Sequence, residues 1–123
     1  MKLKLLDDTF AIHRFGPFAK IPEEVFRETV FNITKTEEEL SIVCRTSLNL
    51  NSEYSNHGWS CFKASGPMQL DATGFLAKLS RVMADAQISI FAMSTYDTDY
   101  ILVKADKTAE AVAALKDAGI GFI

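Results

Sequence analysis

The chain has 123 residues, 48% of them hydrophobic and 24% charged, with thirteen basic against sixteen acidic side chains and a net charge of −3. That length allows one compact domain, or two very small ones sharing a core, and the apolar fraction with only six Gly and three Pro excludes disordered and collagen-like chains. The acidic balance, without any run of Lys and Arg, excludes a strongly basic nucleic-acid surface.

The first six residues, Met1 to Leu6, imitate the start of a signal peptide, but Asp7 and Asp8 end the apolar run. No stretch approaches the roughly 20 apolar residues of a membrane span, so a cytoplasmic protein without a membrane partner is expected. Strands are predicted over Asp8 to Arg14, Thr29 to Thr34 and Leu40 to Arg45, each rich in β-branched or aromatic residues. Between the first two only a short turn around Pro22 to Phe26 fits, and no helix follows Cys44. Asn49 to Gly58 is polar, has turn composition and reads as a connector.

A strand over Trp59 to Ser65 follows, with Trp59 anchoring the core beside the connector. From Thr73 to Ala86 the apolar positions Phe75, Leu76, Leu79, Val82, Met83 and Ala86 trace one face of a 3.6-residue period, which predicts a helix. Asp71 and Thr73 are N-cap residue types just before that run. Further strands are expected over Ile88 to Ser94 and Tyr100 to Ala105. A second helix spans about Thr108 to Ala118, with Ala111, Val112 and Leu115 buried and Gly119 at its C-terminal end. Ile120 to Ile123 reads as one more short strand. Cys44 and Cys61 sit among apolar residues, as buried thiols in a reducing compartment or as the two halves of one bridge.

A repeat lies inside this pattern at an offset of sixty residues. Val30-Phe31-Asn32-Ile33-Thr34 aligns on Ile90-Phe91-Ala92-Met93-Ser94, and Leu40-Ser41-Ile42-Val43 aligns on Tyr100-Ile101-Leu102-Val103. Each copy is strand, acidic turn, strand. Gly16-Pro17 corresponds to Gly66-Pro67 at an offset of only fifty, so the second copy has ten extra residues, which accommodate its helix. The second copy is then a complete β-α-β-β-α-β ferredoxin-like unit and the first a reduced, mainly β version of it.

The segment Asp71-Ala72-Thr73-Gly74-Phe75-Leu76-Ala77, the helix to Ala86 and the strand Ile88-Ser89-Ile90 resemble the opening of an ACT domain, an amino-acid-sensing module. Thr73 stands where that family often has Pro. The stretch Ile88 to Tyr96, followed by Asp99 to Val103, is similar to bacterial relatives of the tandem-ACT cytosolic arginine sensors. The resemblance covers about Gly66 to Ile123 closely and Phe10 to Arg45 loosely. It implies an α+β fold: a ferredoxin-like ACT domain over residues 59–123, a connector over 49–58, and a truncated ACT-like repeat over 1–48 sharing its core. It also implies a ligand pocket at a domain interface with contacts from Gly74, Thr95, Tyr96 and Asp99, and pairing into a homodimer.

The chemistry of the residues points the same way. A helix beginning at Thr73-Gly74 offers unpaired N–H groups and the positive end of its dipole, which suit the α-carboxylate of an amino acid. The loop carrying Asp71 and Thr73 and the hairpin tip Thr95, Tyr96, Asp97 and Asp99 converge if the strands flanking the helix are neighbours. An extended strand would turn Asp97 and Asp99 to one side, toward a cationic ligand group; a tight turn would separate them. Against these readings, Gly74 is also an ordinary helix-start glycine, and acids at hairpin tips are commonly only solvated. No metal-ligand spacing, phosphate loop or nucleophile motif occurs, so neither metal, cofactor nor enzymatic activity is expected. Two functions remain: a stand-alone amino-acid-binding regulatory module, or a ligand-free interaction and scaffolding module of the same fold.

Overall fold

The computed structural model describes residues 2–65 and 74–123. Among the described residues seven strands and two α-helices follow in chain order: β1 (Lys2–Phe15), β2 (Asn32–Lys35), β3 (Leu40–Arg45), β4 (Tyr54–Ser65), α1 (Phe75–Asp85), β5 (Phe91–Ser94), β6 (Asp99–Lys104), α2 (Thr108–Asp117) and β7 (Gly121–Phe122). The short turn expected near Pro22 is a 3-10 helix, Glu23–Arg27. The chain divides into two compact units, Asp8–Gly58 and Met1–Asp7 with Trp59–Ile123, and β1 and β4 each run from one into the other.

The larger unit carries the β-α-β-β-α-β order as β4-α1-β5-β6-α2-β7. β4 pairs antiparallel with β6 from Trp59↔Lys104 to Lys63↔Tyr100, and β6 pairs with β5 from Phe91↔Leu102 to Ser94↔Asp99. The opening Lys-Leu residues, which look like a leader, are strand: Lys2 and Leu3 pair in parallel with Gly121 and Phe122 of β7. Leu3 is fully buried there, among Phe62, Ile101, Val103, Leu79, Met83, Ala111 and Leu115. Every apolar position of the stripe read from 75 to 86 belongs to that core or packs on it.

The helix ends follow from backbone chemistry. α2 closes through Gly119 at φ +85°, whose N–H reaches Lys116 O at 2.9 Å while Ile120 N–H reaches Leu115 O at 3.0 Å. Both bonds satisfy carbonyls that the last turn leaves open. At the start of α1, Gly74 is the N-cap at φ +90°, with no side-chain cap, and its carbonyl accepts from Lys78 N–H at 2.9 Å. Asp71 and Thr73, like Gly66-Pro67, lie outside the described residues.

The smaller unit pairs β1 antiparallel with β3, from Phe10↔Arg45 to Phe15↔Leu40, and β3 with β2, from Asn32↔Val43 to Lys35↔Leu40. Phe15, Val25, Leu40, Ile42, Cys44 and Leu50 form its core. β4 begins at Tyr54, five residues earlier than composition indicates, so half of the polar 49–58 stretch is strand or borders it. Glu28 and Arg45 make a two-pronged ion pair, Nε to Oε1 at 2.9 Å and Nη2 to Oε2 at 2.8 Å. Hydrogen bonding from Arg45, and then its charge, hold the Glu28 carboxyl below its ordinary value.

Candidate functional site

The β5–β6 tip is built by one threonine. Thr95 N–H donates to Thr98 O at 2.8 Å, its hydroxyl donates to the same carbonyl at 3.1 Å, and Thr98 N–H donates back to Thr95 Oγ1 at 3.1 Å. These bonds fix a two-residue tip, Tyr96-Asp97, whose aromatic ring is 80% exposed. Thr98 ties the tip to β4: its hydroxyl donates to Ala64 O at 2.6 Å, and the residue is buried.

The tight turn separates the two acids. Asp97 is exposed at the tip, whereas Asp99 is 6% exposed and accepts from Ser94 Oγ at 2.6 Å. Strand alternation puts Asp99 on the face of β6 that carries Ile101 and Val103 into the helix-covered core, and Tyr100 on the other. A cleft of about 280 Å³ opens beside the tip, lined by Lys63, Ala64, Ser65, Thr95, Asp97, Thr98 and Tyr100. Lys63 Nζ lies 6.0 Å from the Tyr100 ring centroid, within cation–π range. Neither Lys63 nor Asp97 belongs to an ion pair among the described residues.

Of the seven residues singled out from sequence, the cleft lining holds Thr95 and Asp97. Asp99 is buried behind the tip, Tyr96 points into solvent, and Asp71 and Thr73 are outside the described residues. Gly74 stands at the helix start as expected. Its φ of +90° is a left-handed backbone that glycine adopts without strain, and a Cβ there would meet nothing within 4 Å among the described residues. Lys63, Ser65 and Tyr100 escaped the sequence reading. Only the β4–β6 register, which brings Lys63 opposite Tyr100, assembles them.

Cys44 and Cys61 are free and buried, and burial pushes their thiols up to about 11 and about 12 respectively, far from the reactive thiolate. Among the described residues no group of three or more His, Cys, Asp and Glu could hold a metal ion, and no helix is long and apolar enough to cross a membrane.

The family model described as ACT domain matches residues 54–117, and a second family model, for an N-terminal domain, matches residues 8–48. No curated protein matches the sequence significantly. A crystal structure of a protein from Agobacterium tumefaciens is 32% identical, covering 99% of this chain and 91% of that one, with a TM-score of 0.91. A Vibrio cholerae protein is 18% identical over 94% of this chain and 88% of its own, with a TM-score of 0.71. The ligand-free regulatory subunit of aspartate kinase from Thermus thermophilus shares the fold at 13% identity, covering 96% of this chain and 97% of that one, with a TM-score of 0.68.

Proposed function

This chain belongs to the ACT-domain family, and we propose that it is a non-enzymatic regulatory module that binds an amino acid in the cleft beside the β5–β6 tip. The observation that carries this reading is the pair of opposite charges, Lys63 and Asp97, lining one cleft with no ion pair of their own among the described residues. A ligand with a carboxylate and an ammonium group supplies a counter-charge to each. The volume, about 280 Å³, is at the lower edge of the roughly 300–1,000 Å³ of small-molecule sites, as suits an amino acid. Thr95 and Ser65 add hydroxyls that donate or accept. Asp99 acts one step back, holding Ser94 at the base of the tip. Gly74 offers the start of α1 as a further contact, and the loop with Asp71 and Thr73 completes the sequence-based set.

The regulatory subunit of aspartate kinase from Thermus thermophilus, which has this fold, supports a regulatory role. A preference for a cationic side chain through Asp99 does not follow from this cleft, because Asp99 is buried and held by Ser94. We also propose a homodimer, because β2 and β5 each pair on one side only within their own units, and a cytoplasmic location as the sequence leads one to expect. Sedimentation showing only the 13.6 kDa species at micromolar concentration would remove the dimer. A ligand-free interaction module is the second reading, favoured by Tyr96 standing 80% exposed at the tip.

Thermal unfolding of the whole chain against each of the twenty amino acids separates the two. A binding amino acid at a hundred times its Kd raises stability by about 2.7 kcal/mol. No response to any of them overturns the amino-acid reading.

A further inference from the structure

The smaller unit buries a histidine that the cleft does not use. His13 lies on β1, 2% exposed, on the face that sets Ala11, His13 and Phe15 opposite Cys44, Ile42 and Leu40. Its Nδ1 is 2.8 Å from Ser52 Oγ, and its Nε2 is buried with no hydrogen-bond partner among the described residues. Although forty-four residues apart in sequence, His13 and His57 have ring centroids 5.7 Å apart, at 84° to each other. An orphaned buried nitrogen is rare enough in folded proteins to require a reason.

The bond to Ser52 holds one particular segment. Residues 46–53 run from β3 toward β4, with Thr46 N–H on Thr9 O at 2.9 Å and Glu53 N–H on Arg14 O at 3.0 Å. Arg14 also grips Glu53 through Nη1 to Oε1 at 2.7 Å. Between these anchors, Leu50 contributes to the core and Ser52 reaches His13. We propose that His13 is a proton-operated latch: neutral, it holds residues 46–53 closed over the core of this unit through Ser52, and protonated, it releases them.

The argument is one of donors and acceptors. A neutral imidazole has one of each, so Nδ1 satisfies Ser52 and Nε2 is left as a single unpaired atom. Protonation makes both nitrogens donors and places a positive charge where nothing accepts from Nε2, a far larger cost. Among the described residues no neighbouring group offsets it. β3 presents Cys44, whose thiol stays neutral, and β4 presents His57, a like charge when protonated. Val25 is the buried residue of the 3-10 helix, apart from its charged Glu23, Glu24 and Arg27; Lys35 of β2 lies over Phe18. Of the carboxylates in this unit, Glu53 is committed to Arg14 and Glu28 to Arg45, while Glu37 and Glu38 are exposed and Glu39 half-buried at the β2–β3 tip. Burial first, and then His57, hold the His13 pKa below the ordinary imidazole value of 6.5. The sign follows: closed, the unit binds fewer protons than open, so closure is complete above 6.5 and weakens as pH falls from there toward the lowered pKa. Glu28, held below 4.5, titrates in a separate and more acid window.

Amide hydrogen exchange of the full chain between pH 7.5 and 5, corrected for intrinsic base catalysis, tests this together with NMR titration of both imidazoles. The opening equilibrium of residues 46–53 should rise by up to about tenfold per pH unit below 6.5, the limit for one proton. His13→Gln, which keeps a partner for Ser52 but cannot titrate, should abolish that rise. His57→Gln removes the like charge, so the rise should level off at a higher pH and reach a smaller total. A pH-independent opening in the wild type overturns the latch, as does an unchanged slope in His13→Gln. Should that variant fail to fold, an unmoved plateau in His57→Gln overturns it equally.

Discussion

The β2–β3 and β5–β6 hairpins are the same object built twice with different chemistry. Thr36 N–H bonds Glu39 O at 2.9 Å as Thr95 N–H bonds Thr98 O at 2.8 Å, and in each tip the threonine hydroxyl bridges the same two residues. The inner strands β3 and β6 bury the same positions in the same order. Matched this way, equivalent residues are fifty-nine apart, which sets Leu40 against Asp99 and Arg45 against Lys104. Where one hairpin starts its buried face with a leucine in a closed apolar core, the other starts with a carboxylate held by Ser94. At the far end Arg45 pairs with Glu28, while Lys104 lies over the Trp59 ring at 4.8 Å. The scaffold fixes which positions are inward; the residue at the first inward position decides whether that end of the sheet is core or polar site.

The strongest way to break this equivalence is Leu40→Asp. If the two positions differ only in side chain, the introduced carboxylate lands in an apolar core with Lys35, not a serine, at the Ser94 position. With the Lys35 ammonium held outside by Thr36 O and the Phe18 ring, the buried carboxylate should cost about 3–5 kcal/mol, read as a lower urea midpoint. A loss under about 1 kcal/mol would mean the site is not apolar in the way its neighbours indicate.

Alignment of the two halves by sequence falls at sixty and is one residue out. Leu40, Ile42 and Val43 match Tyr100, Leu102 and Val103 as well as they match the true partners, because both faces of β3 and β6 are apolar. Without polar alternation, parity is invisible, and a one-residue slip exchanges the faces. The α1 stripe was legible because Lys78, Arg81 and Asp85 mark its wet side. Thr95 and Asp97 were legible as tip residues. Lys63, Ser65 and Tyr100 were not, since cross-strand register is a property of pairing and not of either strand. The His13–His57 pair was hidden for the same reason.

Thr98→Val sharpens the contrast at the next level. Thr98 anchors its tip to Ala64 O at 2.6 Å in a buried site, whereas its counterpart Glu39 is half-buried. Losing the donor should cost about 1–3 kcal/mol, while Glu39→Gln should stay within about 0.5 kcal/mol. Equal effects at both positions would remove the anchor as a difference between the hairpins.

Asp99→Leu makes the second hairpin imitate the first. Ser94 is exposed and water replaces its lost acceptor, so stability should change by no more than about 1 kcal/mol, in either direction. Amino-acid-dependent stabilisation should fall if Asp99 positions the base of the tip. Retained ligand response with retained stability would leave Asp99 no role in the site.

The finest test asks whether the two tips are energetically the same. Thr36→Ala and Thr95→Ala each remove a hydroxyl that accepts a backbone N–H and donates to a carbonyl across a two-residue turn. Both tips are solvated at that side chain, so water takes over part of each bond and the loss should be small, about 0.5–1 kcal/mol apiece. The geometry differs in two opposing ways: the donated bond is 3.4 Å at Thr36 and 3.1 Å at Thr95, but Thr36 Oγ1 also accepts from Glu38 N–H at 3.1 Å. Without ligand the two losses should agree within about 0.5 kcal/mol, measured by urea unfolding under identical conditions. With a binding amino acid present they should diverge, because Thr95 lines the cleft and Thr36 does not. Divergence in the absence of any ligand would show that the tips share a hydrogen-bond pattern but not an energy, and the equivalence of the hairpins would then stop at the inner strands.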